Sequence, residues 1–300
     1  MEGNFLIFII NFKKRYSKLI VFIIVIYIVS VPLIHIKIAN NNYIQTNTSI
    51  SNSVKVPIIM YHIILKDNAK KNNYTVTPKQ FEEDLKYIKE HGYTTVVMED
   101  LIKYVYEGKS LPDKPIILTF DDGFYNNYYY AYPLLKEYEM RAVISIVGSY
   151  TDEATEINEK NPNYSYLMWD DIKEISDLGI FEIQNHSYNL HDNKFGSRGS
   201  KKKIGEYLEE YKIRLSEDLN KVQKGVYEKI GKYPTTFTYP FGSVSKESTN
   251  ILKDANFFAS LGCEEGVNII TKNNKDCLFL LKRYNRKSGM LSQKFFDKIE

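Results

Sequence analysis

Residues 116–123 read IILTFDDG. Preceded by Pro115, the first five form a short apolar run of the kind that makes a fully buried strand. Two carboxylic acids and a glycine follow at once. In parallel α/β proteins the carboxyl ends of the strands carry the loops where chemistry is done, so this is a candidate site position. Consecutive side chains on an extended segment point apart, which lets Asp121 and Asp122 take different roles. Gly123 permits a sharp exit from the strand. Taken alone, a DDG triplet is as well read as an ordinary surface turn.

Outward from this stretch, strand-like runs recur at 56–64, 94–98, 142–147, 180–183, 236–239, 257–261 and 278–281. Helical patterns lie between most of them. Thr77, Pro78 and Gln80 form a helix start, with Phe81, Leu85 and Ile88 at helical spacing and Gly92 as the stop. Further helices are predicted over 99–105, 128–139, 170–178, 204–230, 246–254 and 292–298. Strands alternating with helices at this count predict a parallel α/β domain closed into a barrel, with a doubly wound open sheet as the alternative. Residues 148–168 read as a long connection forming one wall of a groove. Its Tyr150, Tyr164 and Tyr166, with Trp169, could stack on sugars or simply pack. No GxxxxGK and no glycine-rich loop after the first strand is present, which argues against a nucleotide-binding protein.

Composition sets the wider frame. The chain has 300 residues, a formal net charge of +3, 43% hydrophobic and 26% charged residues, and two cysteines. These values exclude a disordered chain and a small disulfide scaffold. The charge is unevenly placed. Residues 1–40 hold Lys13, Lys14, Arg15, Lys18 and Lys37 against Glu2, so the remainder is close to neutral and lacks a basic face for nucleic acid. The basic group precedes LIVFIIVIYIVSVPLI at 19–34, with Ile36 and Ile38 beyond. This predicts a transmembrane signal anchor over 19–38 in a lipid bilayer, with residues 1–18 cytoplasmic and the rest outside the cell membrane. Residues 39–55, rich in Asn, Ser and Thr, read as a linker, and 56–300 as the catalytic domain.

The five histidines sharpen the site. His186 and His191 lie within six residues just after the predicted strand at 180–183, and His62 lies near the end of the strand at 56–64. Two histidines and one carboxylate make a divalent-metal site that keeps positions open for water and substrate. The plain alternative is two loop histidines and an unrelated strand histidine.

TFDDG at 119–123, HSYNLH at 186–191 and TYPFG at 238–242 resemble the polysaccharide deacetylases of the NodB-homology group, carbohydrate esterase family 4. MYHII at 60–64, TVTPKQFEEDLKYIKEHGY at 75–93 and MWDDIKEISDLGIFEIQNHS at 168–187 resemble the branch containing the poly-N-acetylglucosamine deacetylases. The resemblance implies a distorted (β/α)7 barrel preceded here by the membrane helix. It implies a hydrolase that removes acetyl groups from N-acetylated polysaccharide, using a divalent metal, zinc or in its place cobalt or nickel. Asp122, His186 and His191 become the metal ligands and Asp121 the catalytic base. Tyr239 would offer its backbone N–H to the oxyanion, Pro240 would fix the turn, Phe241 would shape the wall and Ser187 would support the loop.

Two departures from the family pattern shape the remaining expectations. No arginine shortly precedes Tyr239, so the arginine orienting the base is expected from Arg283 or Arg286. No histidine follows His191, so the general acid is expected from His62. The resemblance implies poly-N-acetylglucosamine as the preferred substrate, with peptidoglycan N-acetylglucosamine as the alternative. A catalytically silent, membrane-anchored glycan-binding module is the reading from another class.

Overall fold

The computed structural model describes residues 52–66, 72–191 and 198–299. The expected cytoplasmic segment at 1–18, the anchor at 19–38 and most of the linker lie outside the described residues. Among the described residues, no helix is long and apolar enough to cross a membrane. The first strand, β1 (Ser53–Val56), begins three residues inside the stretch read as linker.

The core is a sheet of seven parallel strands. In chain order these are β2 (Ile58–Tyr61), β6 (Pro115–Phe120), β7 (Ala142–Ile146), β8 (Phe181–Asn185), β9 (Thr236–Thr238), β10 (Ala259–Leu261) and β12 (Tyr284–Asn285). Their spatial order is β10-β9-β8-β7-β6-β2-β12. The path then bends back on itself. Leu281, just before β12, makes a parallel bridge to Leu261 in β10, while β12 pairs with β2. The result is a curled parallel sheet of the distorted-barrel kind. Further short strands lie around it. β3 (Ile63–Ile64) and β4 (Thr75–Val76) form a separate pair, and β5 (Thr94–Thr95), within the sheet, extends the lower part of β6.

β6 is buried along its whole length, as expected of a strand covered on both faces. On one face Phe120 stacks on Tyr61 and meets Phe81 and Phe181 edge-on. Those rings belong to the cluster that helix α1 (Pro78–Glu90) closes over the sheet. The α1 start follows the sequence expectation in part. Thr77 Oγ1 accepts the Gln80 N–H at 3.1 Å. The Gln80 side chain does not complete a capping box. Its amide instead donates to the Lys287 and Met290 carbonyls, both at 3.1 Å, and so pins the C-terminal tail across the helix start.

Helices α2 (Met98–Glu107), α3 (Tyr132–Glu137), α5 (Trp169–Asp177), α6 (Leu208–Ile230) and α7 (Ser248–Asp254) cover the sheet, with α8 (Ser292–Phe296) near the C-terminus. Three differences from the sequence expectation stand out. Residues 148–168 are not one connection, because Gly148–Ile157 form a helix, α4. The final strand is Tyr284–Asn285 rather than 278–281, because Lys275–Leu278 turn as a 3-10 helix and Leu281 contributes only the bridge. β1 and β11 (Asn268–Thr271) form an antiparallel ribbon that no local pattern foretold.

A buried ion pair ties α1 to the closing segment. Arg286 Nε and Nη2 donate to the two Asp84 oxygens at 2.8 and 2.9 Å, and Tyr61 Oη and Ser292 Oγ donate to the same carboxylate. Both charged side chains are wholly buried. Removing one partner of such a pair strands the other charge away from water. Asp84→Ala is therefore expected to lower unfolding stability by about 3–5 kcal/mol, read as a drop in the urea midpoint. A loss below about 1 kcal/mol, the scale of a surface pair, would show that the pair does not hold the closing segment.

Candidate active site

The sheet brings its chemistry to one end. Asp121 and Asp122 follow β6, His62 follows β2, His186 and His191 follow β8, and the TYPFG turn follows β9. All four positions are carboxyl ends of parallel strands, the end at which such folds hold their sites.

The backbone at this end is bent to fit. Asp122, Ser187 and Phe241 have φ of 71°, 74° and 58°, the left-handed region that L-residues adopt at a cost. Gly123 shares it at 74°, where a Cβ would also press on Ile146 at 3.2 Å. The 186–191 loop is clamped from behind. Asp218 on α6 accepts the Tyr188 and Asn189 N–H groups, each at 2.8 Å, and Asn185 Oδ1 accepts the Ser187 N–H at 2.8 Å. Ser187 Oγ accepts the Leu190 N–H at 3.2 Å. His62 is held from the other side, where the Asn127 amide donates to its carbonyl at 2.7 Å.

Asp122, His186 and His191 converge. Their ligating atoms all lie within 4.8 Å of one another. Asp122 Oδ1 stands 3.3 Å from His186 Nε2 and 3.2 Å from His191 Nε2. That oxygen is buried and has no hydrogen-bond partner. His186 Nδ1 faces the Thr238 carbonyl at 2.8 Å, which places its proton there and leaves Nε2 with a lone pair turned toward Asp122. One carboxylate oxygen and imidazole nitrogens turned toward an orphaned acceptor make a donor set that fits a divalent cation. Burial would raise the Asp122 carboxyl, but the two imidazoles in their protonated form outweigh it and hold the group well below the usual carboxylate range. Burial likewise opposes the charged form of His186, yet the neighbouring Asp122 and Asp121 raise it above its ordinary value.

Asp121 lies beside this set with a different partner. Arg283 grips it with two parallel bonds, Nη1 to Oδ1 at 2.7 Å and Nη2 to Oδ2 at 2.8 Å. The guanidinium is itself fixed by Nε to the Gly262 carbonyl at 2.7 Å. Burial works to raise the Asp121 carboxyl, and Arg283 with His186 and His62 outweighs it, holding the group below its ordinary value. His62 faces the same carboxylate, Nε2 to Oδ2 at 3.9 Å. Burial lowers its pKa, partly offset by the two aspartates. A cavity of about 450 Å³ opens over these groups, lined by His62, Asp121, Asp122, His186, His191 and Phe241.

The remaining expectations divide. Of the two arginines, Arg283 reaches Asp121, and Arg286 lies instead on Asp84. The role given to the Tyr239 N–H needs correction, because that group already donates to the Leu261 carbonyl at 3.0 Å inside the sheet. The Tyr239 ring is buried, with its hydroxyl on Ser248 Oγ at 2.8 Å. Pro240 opens a tight turn that sets the Phe241 ring against His191, centroids 4.4 Å apart. Trp169 does not line the cavity. Its indole N–H donates to Asp152 at 2.7 Å and its ring covers Gly225. Sequence reasoning passed over Tyr74, whose ring meets His62 edge-on at 4.8 Å, and Cys263, Lys287 and Arg198, which also line the cavity. Each comes from a loop whose position depends on the closed sheet, so no local pattern marks them.

Comparison with known proteins gives a consistent result. The poly-beta-1,6-N-acetyl-D-glucosamine N-deacetylase of Staphylococcus aureus strain MSSA476 is 27% identical over 204 residues, covering 68% of this chain and 66% of that protein. The chain thus spans just under two thirds of that relative's length. Among solved structures, a de-N-acetylase from Aggregatibacter actinomycetemcomitans superposes with a TM-score of 0.68 at 24% identity, over 82% of this chain and all of that one. The Streptococcus pyogenes deacetylase PplD in complex with acetate gives 0.65 at 22% identity, over 82% of this chain and 99% of that one. At these identities the structures show a shared fold. The family model for polysaccharide deacetylase matches residues 108–259, just over half of the chain, a span that holds Asp121, Asp122, His186 and His191, and on that match the chain belongs to the polysaccharide deacetylase family.

Proposed function

We propose that this protein is a metal-dependent N-deacetylase that hydrolyses acetamido groups on N-acetylglucosamine-containing cell-surface polysaccharide, with poly-β-1,6-N-acetylglucosamine the preferred substrate. Family membership and the name of the Staphylococcus aureus relative support the substrate class. The observation that carries the reaction is the placing of Asp121, fixed by Arg283, and His62 beside the Asp122–His186–His191 set in one cavity. The full set of acid, base and ligand groups speaks against a silent glycan-binding module.

Asp122, His186 and His191 would hold the cation, for which the nitrogen-rich donor set favours zinc. When bound, the cation supplies a Lewis acid that polarises the amide carbonyl and lowers the pKa of water. Asp121 is the base. Arg283 engages both its oxygens and keeps it ionised, so it can take the proton of the attacking water. His62 in its protonated form gives a proton to the departing amine. The oxyanion donor is reassigned to the Phe241 N–H. In the TYPFG turn Pro240 has no N–H, and the N–H groups of Tyr239, Gly242 and Ser243 donate to the carbonyls of Leu261, Tyr239 and Pro240. Acetate and a free-amine sugar are the products. The apolar run at 19–38 supports a single-pass anchor that holds this domain outside the cell membrane, where such polysaccharide lies.

Three measurements test the reading. Zinc-loaded protein should release acetate from N-acetylglucosamine oligomers, chelator should abolish the release, and absence of release with metal bound would overturn the proposal. Asp121→Asn should keep the metal while kcat falls by about 10²–10⁴-fold, whereas His186→Ala should lose the metal. Metal content measured on both variants separates these outcomes. His62→Ala should lower kcat by about 10²-fold with little change in KM, and an unchanged kcat would remove it from the acid role.

A further inference from the structure

Beside the metal cavity lies a second cleft, of about 230 Å³, between α4 and residues 159–166. Its walls are Tyr150, Tyr164 and Tyr166 with Ile157, and its polar groups include the carboxylates of Glu153 and Glu159. Tyr150 lines this cleft and contacts His191, which lines the metal cavity. Its hydroxyl lies 3.4 Å from the His191 carbonyl and its ring 6.1 Å from the His191 ring, while its other side meets Tyr166 at 4.5 Å. Tyr164 and Ile157 leave more than half of their surface open to solvent. The Tyr164 hydroxyl donates to Glu159, which sets the ring at the cleft edge.

Among the described residues that line this cleft the charge is one-sided, with Glu153 and Glu159 and no base. Residues 148–159 contain Asp152, Glu153, Glu156 and Glu159 and no lysine or arginine. The nearest base in sequence, Lys160, is engaged with the buried Asp171 at 2.6 Å. The metal cavity differs, since its lining mixes Asp121, Asp122 and Glu265 with the basic Arg198 and Lys287. Tyrosine faces with carboxylates beside them form a surroundings suited to an ammonium group, attracted both by charge and by the ring quadrupole. An acetamido group carries no charge and gains neither attraction.

We propose that this cleft is a second saccharide subsite, next to the reacting one, and that it takes a sugar whose 2-amino group is already free. The inference rests on the deacetylase reading for the source of such sugars, because each turnover converts an acetamido sugar into an amine. A partly deacetylated chain would then bind better than a fully acetylated one, with a free-amine residue in the cleft and an acetylated residue at the metal.

The test uses the full chain loaded with zinc and two probes, a β-1,6-linked glucosamine tetramer and its fully N-acetylated counterpart. The amine tetramer has no acetyl group to lose, so its binding is read by calorimetry without turnover. The E153Q/E159Q double variant should weaken its binding by about 10-fold, the scale of lost charge-assisted contacts. KM for the acetylated tetramer should stay within about twofold, since the reacting groups are untouched. Tyr164→Ala should weaken both probes, and raised salt should erode the amine preference only. No measurable binding of the amine tetramer to the native protein, or equal losses for both probes in E153Q/E159Q, would overturn the proposal. If acetate release fails while the amine tetramer still binds in a Glu153- and Glu159-dependent way, the deacetylase reading falls and the subsite stands.

Discussion

The contact on which this structure turns is the double hydrogen bond from Arg283 to Asp121. The two residues are 162 positions apart, and both are almost wholly buried. Such a pair holds its shape only if the guanidinium is fixed elsewhere, which the Gly262 carbonyl does. It has three consequences. The acid stays ionised in a buried place, its two oxygens are oriented, and the last strand of the sheet is tied to the second. The site and the closure of the fold are one feature.

The short segment 281–286 does this work three times over. Leu281 bridges β10, β12 pairs with β2, and Arg283 and Arg286 run inward to Asp121 and Asp84. One arginine serves the reacting end and the other holds α1 against the tail. Around this frame Asp122 stands apart from Arg283 and faces two imidazoles, so the adjacent carboxylates experience different surroundings. That difference lets one act as ligand and the other as base.

Much of this was legible in the sequence, for identifiable reasons. The strand at 116–120 announces itself as an apolar run, and the structure extends it only to Pro115. Asp122 and His186 lie within two residues of strand ends and His191 in the loop that follows, so local pattern and chemistry agree. The failures are equally physical. The closing strand is hidden from a periodicity reading because Tyr284–Asn285 sit between two arginines, which such a reading takes as outward-facing, while the apolar Leu278 ends a 3-10 turn. The β1–β11 ribbon pairs residues more than two hundred apart, such as Ser53 with Thr271. That the Tyr239 N–H is spent on the Leu261 carbonyl is not legible, because no sequence tells which backbone N–H the sheet takes. α4 was missed because its segment lacks a clear apolar period, and its acidic face became visible only beside the tyrosines that it meets.

The most direct measurement is kcat/KM for acetate release by Arg283→Met at matched metal content. The variant keeps bulk in the closing segment but removes both bonds to Asp121. The account predicts metal retained and kcat/KM reduced by at least about 10²-fold, the scale of a disabled base. A variant that folds, binds metal and turns over within about twofold of the native protein would contradict it.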